Sequence, residues 1–200
     1  MNQHNAVNTT ARSMKSGSAQ SEKVAELAIC AVFTALVCIF TMFIQIRIFP
    51  TEGGMVHIGN VPLFFVAAYF DGKTGAVSGG LGMCLSDLLT GWTLYAPATL
   101  IVVGIMGLVF GVIVDRKPTV SRLLVAVAAV LAIKLAGYYL FEAVFVYQNM
   151  AAPVVNVPGN TIQILTGAIV AVPVILAVKP VMKHLVNRQQ EEGIREEEHV

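Results

Sequence analysis

Six long apolar runs fill most of this 200-residue chain, and its charges fall between them, so a lipid bilayer is the solvent that limits what it can fold into. The runs cover roughly 24–48, 56–70, 76–89, 96–114, 123–146 and 162–178. A hydrocarbon core about 30 Å thick takes around 20 helical residues to cross. The first, fourth, fifth and sixth runs meet that length. The second and third fall short, and count as spans because their flanks, His57 to Asn60 and Leu88 to Gly91, are uncharged or weakly polar enough to sit at an interface or line a cavity. Composition agrees: 56% of residues are hydrophobic and 12% are charged, about half the charge of an ordinary soluble domain.

Charge placement supplies orientation. Arg12, Lys15, Lys23, Lys73, Arg116, Lys117, Arg122, Lys179, Lys183, Arg188 and Arg195 lie in the two tails or in the second and fourth loops, whereas the first, third and fifth loops hold only Arg47. Basic residues near span ends are retained on the cytoplasmic side. The expected fold is therefore an all-α integral membrane protein of six transmembrane helices with both termini inside. The first span is too long for a cleaved signal peptide and no small-residue cleavage site follows it before Pro50. Residues 1–22 are expected to form a disordered cytoplasmic tail, 23–186 the six-helix transmembrane substrate-binding domain, and 187–200 an acidic cytoplasmic tail. Neither tail carries enough apolar surface to offset the entropy of ordering.

Several apparent motifs dissolve on inspection. Asp71-Gly72-Lys73-Thr74 looks like the end of a phosphate-binding loop, but Ala67 stands where the first glycine belongs, and the segment joins two membrane helices. Ala76-Val77-Ser78-Gly79-Gly80 misses a nucleophile elbow by one glycine, and no strand precedes it. Cys30, Cys38 and Cys84 lack metal-ligand spacing and read as packing residues. No catalytic site, metal, cofactor or nucleic-acid partner is expected. Glycines at 75, 79, 80 and 82 and at 104, 107 and 111 suit close helix packing, which in lipid proceeds through small residues.

What survives is a polar set that the topology brings to one depth. His57 and Asn60 open the second helix, and Asp87 leads out of the third toward Trp92 and Tyr95. The fifth rises through Lys134 and Tyr138 to Glu142, and the sixth begins at Asn160 and Gln163. Ionisable groups inside a bilayer cost several kcal/mol unless they pair or face water, so Asp87, Lys134 and Glu142 should share an interior. Lys134 and Glu142, eight residues apart, stand about two turns and roughly 80° apart on a regular helix, a separation that suits a common cavity better than direct pairing. The plainer alternatives are an ion-pair lock for the charges and an interfacial belt for Trp92 and Tyr95, whose rings together with Tyr138 could equally stack a flat heterocycle.

A family resemblance follows from particular stretches. His57-Ile58-Gly59-Asn60, then Gly79-Gly80-Leu81-Gly82 and Ser86-Asp87-Leu88-Leu89-Thr90-Gly91, then Tyr95-Ala96-Pro97 and Gly104-Ile105-Met106-Gly107-Leu108 resemble the substrate-binding S components of energy-coupling factor (ECF) vitamin transporters. The likeness is strongest to the riboflavin-type subgroup, which includes proteins for hydroxymethylpyrimidine or pyridoxine-type substrates. It implies a six-helix S-component-like bundle without an ATPase of its own, in a prokaryotic cell membrane. The implied partners are a vitamin, a transmembrane coupling subunit and two ATPase subunits. Ala31 and Ala35 match the small-residue motif that faces the coupling subunit, and the outer polar cluster becomes the vitamin pocket. Asn60 replaces an acidic residue and Val103 a frequent lysine, which leaves the choice of vitamin open. The competing class is a self-sufficient proton-coupled secondary transporter, for which no internal repeat is found.

Overall fold

In a computed structural model that describes residues 3–47 and 55–198, six α-helices and one short hairpin make up nearly the whole chain. The order is α1 (Gln3–Phe43), β1 (Gln45–Arg47), β2 (Met55–His57), α2 (Asn60–Tyr69), α3 (Gly72–Thr90), α4 (Ala96–Val114), α5 (Val120–Phe141) and α6 (Val157–Glu198). A π-helical turn, Glu142–Val146, and a 3₁₀ turn, Ala152–Asn156, lie between α5 and α6. Most of the first loop lies outside the described residues.

Four segments are apolar and long enough to cross a bilayer: Lys23–Phe43, Ala96–Val114, Val120–Val146 and Ala152–His184. Helix α2 has 10 residues, about 15 Å of rise, and cannot span alone. It has no need to, because Leu63, Phe64, Val66, Ala67 and Ala68 are completely buried among its neighbours. The hairpin fills the depth that α2 leaves vacant. Its strands pair antiparallel, with Gln45 opposite His57 and Ile46 opposite Val56, so each satisfies the other's backbone groups. Nothing in the apolar pattern marks this hairpin, since its strands continue the runs on either side.

Helical backbone continues from both terminal spans into the polar tails, back to Gln3 and on to Glu198, where the composition leads us to expect disorder. Helical hydrogen bonds are local, between residues four apart, so helix there needs no tertiary partner.

Helix α3 packs on α1 and α4, α4 on α5, and α2 on α3, α4 and α6. The α3–α4 contact is backbone against backbone: a Cβ on Gly107 would stand 2.5 Å from the Gly75 carbonyl, and one on Gly72 2.6 Å from the Leu108 carbonyl oxygen. At the centre, Phe64 of α2 stacks on Phe110 of α4 with centroids 4.5 Å apart.

At the end of the bundle where α2 leads into α3, Asp71 caps α3 by accepting the Thr74 N–H at 2.6 Å. Arg116, from the loop after α4, reaches the Asp71 carboxylate at 3.3 Å and also donates to the Phe70 carbonyl. Burial pushes the Asp71 carboxyl up, but the Thr74 hydrogen bonds and the Arg116 charge outweigh it and hold the group below the usual carboxylate range. The stability it contributes is present at neutral pH and is lost as pH falls through that lowered value. The rejected phosphate-loop motif is thus a helix cap, and Ser78 of the rejected elbow is a buried contact whose hydroxyl donates to the Cys30 carbonyl at 3.3 Å. The cysteines are free and half-buried.

Gly104 tests the packing argument from within α4, because a Cβ there would meet only the Ala76 carbonyl oxygen at 3.7 Å, an ordinary contact. Gly107→Ala should lower stability by about 1–3 kcal/mol, as overpacked sites do. Gly104→Ala should be neutral or slightly stabilising. Thermal unfolding of the two purified variants in detergent reads the difference, and equal effects would remove the close approach as the reason for glycine at 107.

Candidate functional site

At the opposite end from the Asp71–Arg116 contact, a cavity opens between β2, α3, α4, α5 and α6. Local rules aim its side chains. Gly91 ends α3 in the left-handed region at φ 90°, where a side chain would be strained, and the chain turns so that the Trp92 N–H reaches the Asp87 carbonyl at 2.8 Å. Trp92 and Tyr95 therefore fold back over Asp87, their rings edge to face at 5.8 Å. Tyr95 continues an aromatic row through Phe141 to Phe145, with each step 5.5 Å.

On α5, Lys134 and Tyr138 lie one turn apart, and the Lys134 ammonium stands 4.7 Å from the centroid of the Tyr138 ring. The Tyr138 hydroxyl donates to Thr99 Oγ1 of α4 at 2.9 Å, and the Thr99 side chain in turn hydrogen-bonds Asp87 of α3. Three helices are thereby joined through one threonine. Asp87 and Glu142 both act electrostatically on Lys134, so the charged groups form a single system. The π-helical turn re-aims the end of α5: the Tyr147 N–H bonds the Glu142 carbonyl, five residues back, and the Glu142 carboxylate accepts from Asn156 Nδ2 at 3.0 Å. Inserted π turns of this kind recur at functional sites.

His57, from β2, accepts the Gly59 N–H on Nδ1 at 3.2 Å, which leaves Nε2 as the donor of a neutral ring. Asn160 and Gln163 complete the lining from α6. About 60 Å³ of water-accessible space is left between these side chains, room for only a few solvent molecules at roughly 10–15 Å³ each, so an organic solute has to spread the lining.

Of the residues singled out from sequence, His57, Asp87, Trp92, Tyr95, Lys134, Tyr138, Glu142, Asn160 and Gln163 line this one cavity. Asn60 does not. It is fully buried beneath the cavity, donating to the Gln163 carbonyl at 3.4 Å, where the bare backbone of Gly167 lets α2 and α6 approach. Ala31 and Ala35 are exposed on the other side of the bundle, in an apolar groove between α1 and α3.

Met83, Thr99 and Asn156 escaped the sequence reading. Met83 and Thr99 line the cavity one helical turn from Asp87 and Tyr95, so the four-residue spacing contained the signal. Asn156 sits on a 3₁₀ turn, where no periodicity points inward.

Because Asn156 is buried and supports a buried carboxylate, Asn156→Ala should destabilise the protein by about 1–3 kcal/mol. Thermal unfolding checks this, with Val155→Ala, an exposed neighbour, as the expected silent control.

Comparison with known proteins now has a geometry to attach to. The crystal structure of FolT bound with folic acid shares the fold, with a TM-score of 0.62 at 17% identity over 77% of this chain and 92% of that one. An uncharacterized protein in the gap 3′ region of Pyrococcus woesei is 25% identical over 134 residues, 67% of this chain and 88% of that protein. The family sequence model described as ECF-type riboflavin transporter, S component, matches residues 21–180. That is well over half of the chain, and the protein therefore belongs to the ECF transporter S-component family, a family of membrane transport subunits and not of enzymes.

Proposed function

We propose that this chain is the substrate-binding subunit of an ATP-driven ECF importer in a prokaryotic cell membrane. It captures a vitamin or vitamin precursor of the hydroxymethylpyrimidine, pyridoxine or riboflavin class from outside. The single observation that carries the reading is the gathering of ten polar or aromatic side chains, from β2, α3, α4, α5, α6 and the turns between them, around one cavity at the end of the bundle away from the basic loops. These groups are hydrogen-bonded or electrostatically coupled to one another and still border an open space, which a closed ion-pair lock would not leave.

Formal charges in that space, two carboxylates against one ammonium, favour a solute that offers N–H, amine or hydroxyl donors. Trp92 and Tyr95 favour one that is also flat. Met83 adds an adaptable apolar wall. The exposed groove around Ala31 and Ala35, with Val77, Leu81 and Leu85 opposite, is the surface on which the coupling subunit of the importer would dock, and the two ATPase subunits would act through it. Such an arrangement divides capture from energy supply. The N-in, C-in orientation with six spans belongs to the same proposal and rests on the basic-residue asymmetry.

Identification by mass spectrometry of the small molecule retained by purified protein tests the substrate class, and recovery of no vitamin-like compound under any growth condition would overturn it. Asp87→Ala and Glu142→Ala should each weaken equilibrium binding tenfold to a hundredfold, the loss of a charge-assisted hydrogen bond worth about 1.5–3 kcal/mol. Trp92→Ala should match them if the ligand stacks. Carboxylate variants that unfold while the surviving fraction binds normally would make those residues structural.

Bulky substitution at Ala31 or Ala35 should preserve binding and abolish uptake in cells that contain the ATPase module. Normal uptake would leave the groove without a coupling role. In a background lacking the three native cysteines, Val155→Cys should be labelled from outside and Lys117→Cys only from inside. The reverse pattern would overturn the orientation.

A further inference from the structure

A second site lies at the other end of the molecule, where α2, α4 and α6 end. A groove of about 520 Å³ opens there between the α4–α5 loop and α6, and its polar walls are all of one sign: Arg116 and Lys117 on the loop, Lys179 and Lys183 on α6. Tyr69 and Met182 give it an apolar floor.

Its cations are not equally engaged. Arg116 pairs with Asp71 at 3.3 Å, and Lys117 with Asp115 at 3.5 Å. Lys179 and Lys183 form no ion pair among the described residues. Four positive groups against these two carboxylates leave the groove about two charges in excess. The spacing of Lys179 and Lys183, four residues apart, puts both ammonium groups on one face of α6.

Fold elements, not chance, hold the basic loop there. Asp115 and Arg116 both take the left-handed conformation at φ 52°, unusual for residues with side chains, and the loop is locked when the Val114 carbonyl accepts both the Lys117 N–H and Arg122 Nη1 at 3.0 Å. Tyr69 donates to the Ile175 carbonyl, fixing the end of α2 against α6 one turn before Lys179.

We infer that this groove binds the phosphate headgroup of an anionic phospholipid. A pocket whose two α6 lysines have no ion pair among the described residues, at the ends of membrane spans, lies at headgroup depth, and basic pockets between spans suit such headgroups. Pro118 and Met182 add apolar surface to the groove wall beside the lysines, where an acyl chain would begin. The site owes nothing to the solute cavity, lies at the opposite end of the bundle, and stands whether or not the vitamin reading does.

The test is native mass spectrometry of the full chain from micelles containing equal amounts of phosphatidylglycerol and phosphatidylcholine. Selective retention of phosphatidylglycerol is expected. Each lysine removed should weaken it about fivefold, so Lys179→Ala/Lys183→Ala should lose roughly twenty-five-fold. Lys23→Ala/Lys73→Ala, which changes the net charge equally but lies outside the groove, should retain the lipid as the parent does.

Equal loss in both double variants would overturn the proposal in favour of diffuse charge attraction. Equal retention of phosphatidylcholine would also overturn it, as would displacement of the lipid by millimolar inorganic phosphate, which would mark a site for a soluble anion. Unchanged thermal unfolding of both variants, expected because these lysines are exposed, ties the result to binding.

Discussion

Backbone contact between α3 and α4 is the constraint on which the rest of this structure depends. With Gly107 against Gly75, and no side chains between them, the two helices approach closely enough for Asp87 and Met83 of α3 to share a cavity with Thr99 and Tyr95 of α4. In lipid no hydrophobic effect drives helices together, so dispersion contacts over a smooth surface have to supply the attraction. A side chain at Gly107 would separate the helices along much of their length. The Tyr138–Thr99–Asp87 hydrogen bonds require that spacing too, and they are what orient the carboxylate.

The cavity uses the same economy of backbone. Regular helices project side chains outward at fixed angles, and the departures from regularity are where the site is shaped. The left-handed Gly91 reverses the chain over Asp87, the π turn rotates Glu142 toward Asn156, and the hairpin delivers His57 beside a helix too short to span. Each departure keeps its own backbone groups bonded, as the absence of water in the bilayer demands. What is left for a solute is a small space whose carboxylates are already held by hydrogen bonds, so that binding has to move the lining apart but not to orient those groups.

The two ends of the bundle divide the chemistry. One end gathers carboxylates, an ammonium and aromatic rings into an interior. At the other, cations stand at the surface around a groove, anchored where Arg116 binds the Phe70 carbonyl and Asp71. Between them lies an apolar core that includes Phe64, Phe110, Met106 and Leu63.

Much of this was legible in the chain. The apolar runs located all six helices, and the run at 96–114 coincides with α4. Family-like stretches from His57 to Gly107 pointed to the class that the family match supports. Most of the cavity lining was legible too, because a charged or hydrogen-bonding residue in lipid has few places to face. Tertiary structure decided the rest. Asn60 looked equivalent to His57 by sequence, yet one helical turn of α2 packed against Gly167 buries it under the cavity instead of beside it. Met83 and Thr99, one helical turn from Asp87 and Tyr95, join the lining only because α3 and α4 approach closely, and Asn156 depends on a turn with no period to read. Sequence determined which residues had to avoid lipid, because transfer free energy is a property of each side chain. Only the packing of the helices decided which of them meet, because contact depends on interhelical distances set elsewhere in the chain.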